Sequence, residues 1–175
     1  MNRPIHRLLD LPVVSRIRRN HALEHATIHL LTAQGPRTTL IGRADSRGFF
    51  LYGNVPTERV GQAAAEALNR LRSGEHQLAI HPNCGTNLLT AGLLAGSAAF
   101  LALIGERKDE AWQDRLGRWP AAILLATLAL LVAQPLGLQA QRHLTTQGDP
   151  GNLEILTVRR RGAGDRTIHR VITRG

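Results

Sequence analysis

The chain has 175 residues, a net charge of +9, one cysteine and few aromatic residues. This length suffices for one modest domain, or for a smaller domain together with membrane-spanning helices. A single cysteine excludes an internal disulfide and is typical of a reducing compartment. The excess of basic residues is compatible with binding to nucleic acid. However, the arginines are scattered and no nucleic-acid-binding motif is present, so we expect attraction to anionic lipid head groups instead.

The first strong pattern is a helix that carries three histidines. Asn20 can cap this helix, and apolar residues recur after it at helical spacing. His21, His25 and His29 are four residues apart and therefore share one face, with Glu24 beside His21. Imidazoles beside a carboxylate are typical of a hydrolytic zinc site, because the metal activates a water whose proton the carboxylate accepts.

Short β-prone runs and a second helix follow the histidine helix, and two more β-prone runs lie near the C-terminus. Pro56 opens the second helix, which follows a predicted turn at 42–48. The predicted strands lie at 38–41, 49–52, 77–80, 153–158 and 167–173, with the last two joined by a turn at 162–165. The sequence therefore predicts an α+β fold with a small antiparallel sheet and two helices.

Two long runs, residues 82–105 and 119–141, contain no charged residue. Each is long enough to cross a bilayer as a helix, which takes about 20 apolar residues, and neither has a polar face. The connection at 106–118 is too polar to enter lipid, so we expect an antiparallel transmembrane hairpin. The basic excess lies in the two terminal segments, which the positive-inside tendency places in the cytoplasm. The expected location is the bacterial inner membrane, with cytoplasmic termini.

The chain is therefore expected to have four parts. A basic segment at 1–19 precedes a cytoplasmic α+β domain at 20–83 that contains the histidine helix. A transmembrane hairpin follows at 84–142, with spans near 86–105 and 119–140, and a C-terminal strand pair at 143–175 completes the sheet. Gly92 and Gly96 have the spacing that permits close helix packing, either within the hairpin or between copies in a homo-oligomer.

The string His21-Ala-Leu-Glu24-His25 is followed by the strand pair, then by Val55-Pro-Thr-Glu58 and an Ala-rich helix. Over roughly residues 20–72 this order resembles the opening of the insulinase/pitrilysin-type zinc peptidases, the inverzincins. The resemblance implies that the two motif histidines bind zinc and that the motif glutamate activates water. The third ligand of that family is a Glu on a downstream helix, for which Glu66 is the candidate here.

Asn20 to Thr27 and His81 to Asn87 carry a second resemblance that spans most of the chain. They are similar to the N-H-x-L-E-H-A-T and H-P-N-C-G-T-N motifs of an uncharacterised family of small bacterial membrane proteins. The pairing of the motifs makes His81 and Cys84 candidate ligands. A neutral imidazole and a thiolate can bind one Zn²⁺, and a helix N-terminus favours the thiolate.

The sequence leaves two functions open. In the first, a membrane-anchored protein binds zinc and hydrolyses a peptide or a membrane-associated substrate, with Glu24 as the general base. The candidate ligands share imidazole, thiolate or carboxylate donors and are His21, His25, His81 and Cys84, with His29 and Glu66 as further candidates. In the second, the same histidines and Glu24 form a buried hydrogen-bond network in a non-catalytic scaffold or partner-binding protein.

Overall fold

A computed structural model describes residues 4–33, 39–104, 116–162 and 167–175. The chain forms two compact units, of which the first comprises Met1–His81 and Arg142–Gly175 and the second comprises Pro82–Gln141. Most of the predicted connection at 106–118 and of the predicted turn at 162–165 lies outside the described residues.

The first unit combines helices with a four-stranded antiparallel sheet, which confirms the predicted α+β class. The sheet has the strand order β1-β2-β4-β3. Its strands are β1 Ile41–Asp45, β2 Gly48–Tyr52, β3 Glu154–Arg161 and β4 Ile168–Arg174, and the helices of this unit are α1 Pro4–Leu9, α2 Pro12–Ala33 and α3 Thr57–Arg72.

The core of the first unit lies between the sheet and the two longer helices. Phe49 and Leu51 alternate with Phe50 and Tyr52 along β2, and only the first two are fully buried. This alternation follows from the period of two in a strand, which sends successive side chains to opposite faces. The core cluster draws most of its members from α2, α3, β2 and β4, including Leu23, Ala26, Val60, Leu71 and Val171.

The long helix α2 begins at Pro12, and the prediction that Asn20 caps it is wrong. Proline is well tolerated at the start of a helix, because its missing N–H would have no helical partner there. Asn20 is fully buried within the helix. Its side chain donates to the carbonyl of Asp45 at 2.8 Å and accepts from the hydroxyl of Thr173 at 2.7 Å. It connects α2 to strands β1 and β4.

The prediction of a strand at 77–80 is also wrong, because His76–Ala79 form a single 3₁₀ turn. The carbonyls of Ala79 and Ile80 bind histidine side chains of α2. The first strand lies at Ile41–Asp45, so all of it except Ile41 falls in the segment 42–48 that the sequence predicts to be a turn. Both segments are short, so their apolar pattern cannot distinguish a strand from other structure.

The second unit contains two apolar helices, α4 Gly85–Leu103 and α5 Trp119–Ala140. They are antiparallel, because Asn87 in the first turn of α4 accepts a hydrogen bond from Gln141 directly after α5 at 2.6 Å. A π-helical turn, Gln141–Thr145, then leads into the first unit. Both helices are long and apolar enough to cross a membrane.

Among the described residues of the hairpin, nothing packs closely against Gly92 or Gly96, contrary to one of the two uses that their spacing predicts. A Cβ at either position would meet no atom within 4 Å in the described part of the chain. The close approach of the helices is made by Gly137 of α5, where a Cβ would collide with Asn87.

Candidate metal centre

Two histidines of α2 are oriented by backbone carbonyls from segments far away in the sequence. His21 Nδ1 lies 2.9 Å from the carbonyl oxygen of Thr145, and His25 Nδ1 lies 2.7 Å from that of Ala79. A carbonyl oxygen can only accept, so Nδ1 carries the proton in both rings. In the neutral imidazole the lone pair is then on Nε2, which is the atom that can bind a metal.

In His29 it is Nε2, not Nδ1, that bonds to a backbone carbonyl. Its Nε2 lies 2.8 Å from the carbonyl oxygen of Ile80, so Nε2 donates the proton. His29 therefore shares the helix face of His21 and His25 but presents a different nitrogen as a donor for metal.

His81 lies against the histidine face of α2. The ring centroids of His21 and His25 are 4.3 Å apart, those of His25 and His81 are 5.6 Å apart, and those of His29 and His81 are 4.8 Å apart. Burial lowers the pKa of His81, and the neighbouring His29 lowers it further. The neutral form of His81 is favoured, which is the form required of a metal ligand.

Glu24 lies against the sheet, with only 4% of its surface exposed. Its carboxylate occupies the space next to Gly42 of β1, where a Cβ would overlap it. Because the sequence predicts a turn at Gly42, this contact was not expected. A glycine within a strand is nevertheless a recognised signal of close approach by another group.

Cys84 belongs to the second unit, where it is the N-cap residue of α4 and is 8% exposed. Its Sγ accepts a hydrogen bond from the amide of Thr86 at 3.4 Å. A helix N-terminus stabilises the thiolate, which is the form that binds metals. His21 and His25 of the first unit belong to a group of side chains that could hold a metal ion.

Glu66, the remaining candidate, lies on the exposed face of α3. Its carboxylate is 3.8 Å from the guanidinium of Arg70 in the next turn, and about half of its side chain is exposed. The group that could hold a metal does not include it.

The carbonyls of Thr145 and Ala79 are the functional groups that sequence reasoning missed. Every residue has a backbone carbonyl, so these two positions carry no signal in the sequence. Only the packing of the 3₁₀ turn and of the π-helical turn against α2 identifies them.

The chain is similar to proteins of unknown function. A family profile described as "Domain of unknown function (DUF6391)" matches residues 16–158. An uncharacterised protein of Picosynechococcus sp. is 39% identical over 144 residues, which cover 74% of this chain and 65% of that protein. The chain thus spans slightly less than two thirds of the length of this curated relative. No solved structure matches the chain.

Proposed function

The chain belongs to the DUF6391 family, and we propose that it is a membrane-anchored protein that binds a divalent metal ion through His21, His25 and a third ligand, for which Cys84 and His81 are the candidates. The orientation of the two imidazoles carries this proposal. Each Nδ1–H is bound by a backbone carbonyl, which directs the lone pair to Nε2. Histidines that bind metals almost always donate their other N–H in this way.

The donor set favours zinc. Two imidazoles and a thiolate suit Zn²⁺, which prefers nitrogen and sulfur ligands in a tetrahedral site. His81 precedes Cys84 by three residues and lies beside His25. With His81 as the fourth ligand the site would be closed and structural. With water in that position it would be open and catalytic.

In the catalytic form, Glu24 is the general base of a metal-assisted hydrolysis. It precedes His25 directly in the sequence and is 4% exposed, with its carboxylate packed beside Gly42 of β1. Zinc lowers the pKa of a bound water to about 7, so a nearby carboxylate can accept its proton. The proposed substrate is a peptide or a membrane-associated molecule.

The two apolar helices support the anchoring part of the proposal. None of the residues of α4 is buried, and Leu88 and Leu131 are 77% and 69% exposed. Such continuous apolar surface needs a cover, and a bilayer supplies one along the whole length of both helices. The proposed location is the bacterial inner membrane with both termini in the cytoplasm, because the terminal segments carry the basic excess.

Metal analysis of the full chain, purified in a non-ionic detergent, tests the metal site. Wild type should carry about one zinc per chain after incubation with zinc and removal of the excess. His25→Gln and Cys84→Ser should each weaken zinc binding by about tenfold to a hundredfold. Serine is itself a strong N-cap residue, so Cys84→Ser preserves the start of α4 while it removes the thiolate.

His76→Gln is the matched control, because His76 is an exposed histidine outside the proposed ligand set. This variant should bind as much zinc as wild type. A wild-type chain that remains without metal after incubation, or equal binding by all four proteins, would contradict the proposal.

A structural role of the histidines is the second candidate function, and His29 favours it. Its Nε2 donates to Ile80 and, like the other two histidines, it bonds to backbone. In a scaffold or partner-binding protein these bonds would only hold the 3₁₀ turn against α2. This role predicts that His25→Gln lowers the thermal unfolding midpoint equally with and without added zinc.

A further inference from the structure

The sheet has a face opposite to its core. Directly opposed residues on neighbouring strands point to the same side, so the strand register defines three rows across the sheet. We call these twelve residues the outer face. Its rows are Ile41, Tyr52, Ile168 and Arg161, then Arg43, Phe50, Arg170 and Arg159, then Asp45, Gly48, Ile172 and Thr157.

The helices of the first unit lie on the other side of the sheet. Phe49, Leu51 and Val171 alternate with outer-face residues and are fully buried in the core cluster together with α2 and α3. On the outer face, in contrast, Ile41 at the edge of the sheet is 62% exposed. In the described part of the chain, the outer face is therefore the solvent-facing side of the sheet.

The outer face is strongly basic. It contains four arginines and one acid, Asp45, which accepts a hydrogen bond from Arg170 at 2.9 Å. Arg170 and Arg159 stand directly opposite each other on β4 and β3. Like charges at opposed positions destabilise a sheet, so an anion bound beside them would relieve the repulsion.

Arg170 supplies a second, independent indication of an anionic ligand. The side chain is stacked on Phe50, with its guanidinium carbon 4.2 Å from the ring centroid, and the residue is 7% exposed. Its Nη1 is buried and has no hydrogen-bond partner among the described residues. A buried charged donor without an acceptor is costly, and an oxygen of an anionic ligand would satisfy it.

We propose that the outer face binds the anionic head groups of the membrane that holds α4 and α5. This inference rests on the proposed anchoring and is independent of the metal site. Residues 146–153 alone separate the end of the second apolar segment from β3, so the sheet is tethered within reach of the bilayer surface. A short tether gives a high effective concentration of head groups.

The side chains between the arginines fit a lipid surface. Tyr52, Ile41 and Ile168 form an apolar and aromatic row beside the row of arginines. Tyrosine is enriched at membrane interfaces, and basic residues there attract anionic lipids. Single-stranded nucleic acid would instead need open aromatic faces for its bases, and Arg170 already covers one face of Phe50.

A photo-cross-linking experiment tests the lipid contact directly. The full chain with Tyr52 replaced by p-benzoylphenylalanine is placed in nanodiscs of phosphatidylcholine, with or without phosphatidylglycerol, and illuminated. Mass spectrometry of the intact protein should find adducts of phosphatidylglycerol in the mixed discs. Adding Arg159→Gln and Arg161→Gln should reduce these adducts many-fold, because each arginine near an anionic surface contributes roughly fivefold to binding.

Arg160→Gln is the matched control. Arg160 is an exposed arginine on the same strand, lies between the other two and points to the opposite side. This variant should keep the adduct yield within about twofold of the parent, because it is outside the outer face. An equal loss in both variants, or adducts that do not depend on phosphatidylglycerol, would overturn the proposal.

The same cross-linker at Leu93, an exposed residue of α4, separates this inference from the anchoring on which it rests. Lipid adducts at position 93 but not at position 52 would overturn only the inference about the outer face. Adducts at neither position would overturn the anchoring as well. A fluorescent single-stranded oligonucleotide that binds the purified chain, and binds less to the double Gln variant, would assign the face to nucleic acid instead.

Discussion

The carboxylate of Glu24 occupies the space that a side chain at position 42 would fill. Gly42 lies on the edge strand β1, and a Cβ on this residue would overlap Oε1, Cδ and Cγ of Glu24. The glycine therefore allows a buried glutamate of α2 to pack directly on the sheet. The position of Glu24, the proposed catalytic base, therefore depends on a glycine, which has no side chain.

Gly42→Ala should lower the free energy of unfolding by about 1–3 kcal/mol, as is typical of overpacking in a core. The added methyl group must displace either Glu24 or the strand. Urea denaturation of the detergent-purified chain measures the change. Gly61→Ala on α3 is the control, because its Cβ would lie 3.9 Å from the nearest atom, a side-chain carbon of Val158.

The control should stabilise the chain by about 0.5–1 kcal/mol, since alanine replaces glycine within a helix. Equal stability of the two variants would mean that Glu24 does not lie against Gly42.

Thr173→Val should cost about 1–3 kcal/mol of unfolding free energy. The Thr173 hydroxyl donates to Asn20 across most of the chain length, and both residues are buried. Valine keeps the shape but leaves the Asn20 oxygen without this donor. Thr157→Val on the outer face should change the stability by less than about 0.5 kcal/mol. If both substitutions have the same effect in urea denaturation, Asn20 and Thr173 do not form the contact described.

His21→Gln and His29→Gln should differ in zinc binding, although the two residues lie on one face of α2. The proposed ligand atom of His21 is Nε2, whereas Nε2 of His29 donates to Ile80. Isothermal titration of the metal-free chain with zinc should find binding weakened at least about tenfold in His21→Gln and largely kept in His29→Gln. If zinc binding is instead weaker in His29→Gln than in His21→Gln, the site lies nearer to His29 than proposed.

His169 on β4 should make the fold less stable in mild acid. Burial lowers the pKa of His169, although hydrogen bonds to the backbone at Gly53 and Val55 oppose the shift. The unfolded chain, with a pKa of about 6.5, binds a proton first as the pH falls. The stability that neutral His169 contributes is therefore complete above about pH 6.5 and is lost below it.

Thermal unfolding between pH 7.5 and about pH 5, with a chelator present, measures this effect. His169→Leu should have a flatter pH dependence than wild type. His76→Leu, which removes an exposed histidine, should leave the slope unchanged. A wild-type slope in His169→Leu would mean that another group causes the acid sensitivity.

Local patterns in the sequence were sufficient to predict much of the fold. The uncharged runs predicted α4 and α5, because the length and apolarity of a segment are properties of that segment alone. The spacing of His21, His25 and His29 placed them on one helix face, since helical periodicity needs no partner. The same reasoning failed at Asn20 and at residues 77–80, where contacts with distant segments override the local preference.

The sequence by itself determined which side chains share a helix face and which segments are apolar enough for a membrane. Tertiary structure alone decided which nitrogen of each imidazole is held by backbone, where Glu24 finds room, and which arginines stand together on the sheet. Those relationships join residues that are far apart in the chain, and several depend on backbone carbonyls that every residue has. Only the packed chain brings such groups within hydrogen-bond distance, so no local pattern could have encoded them.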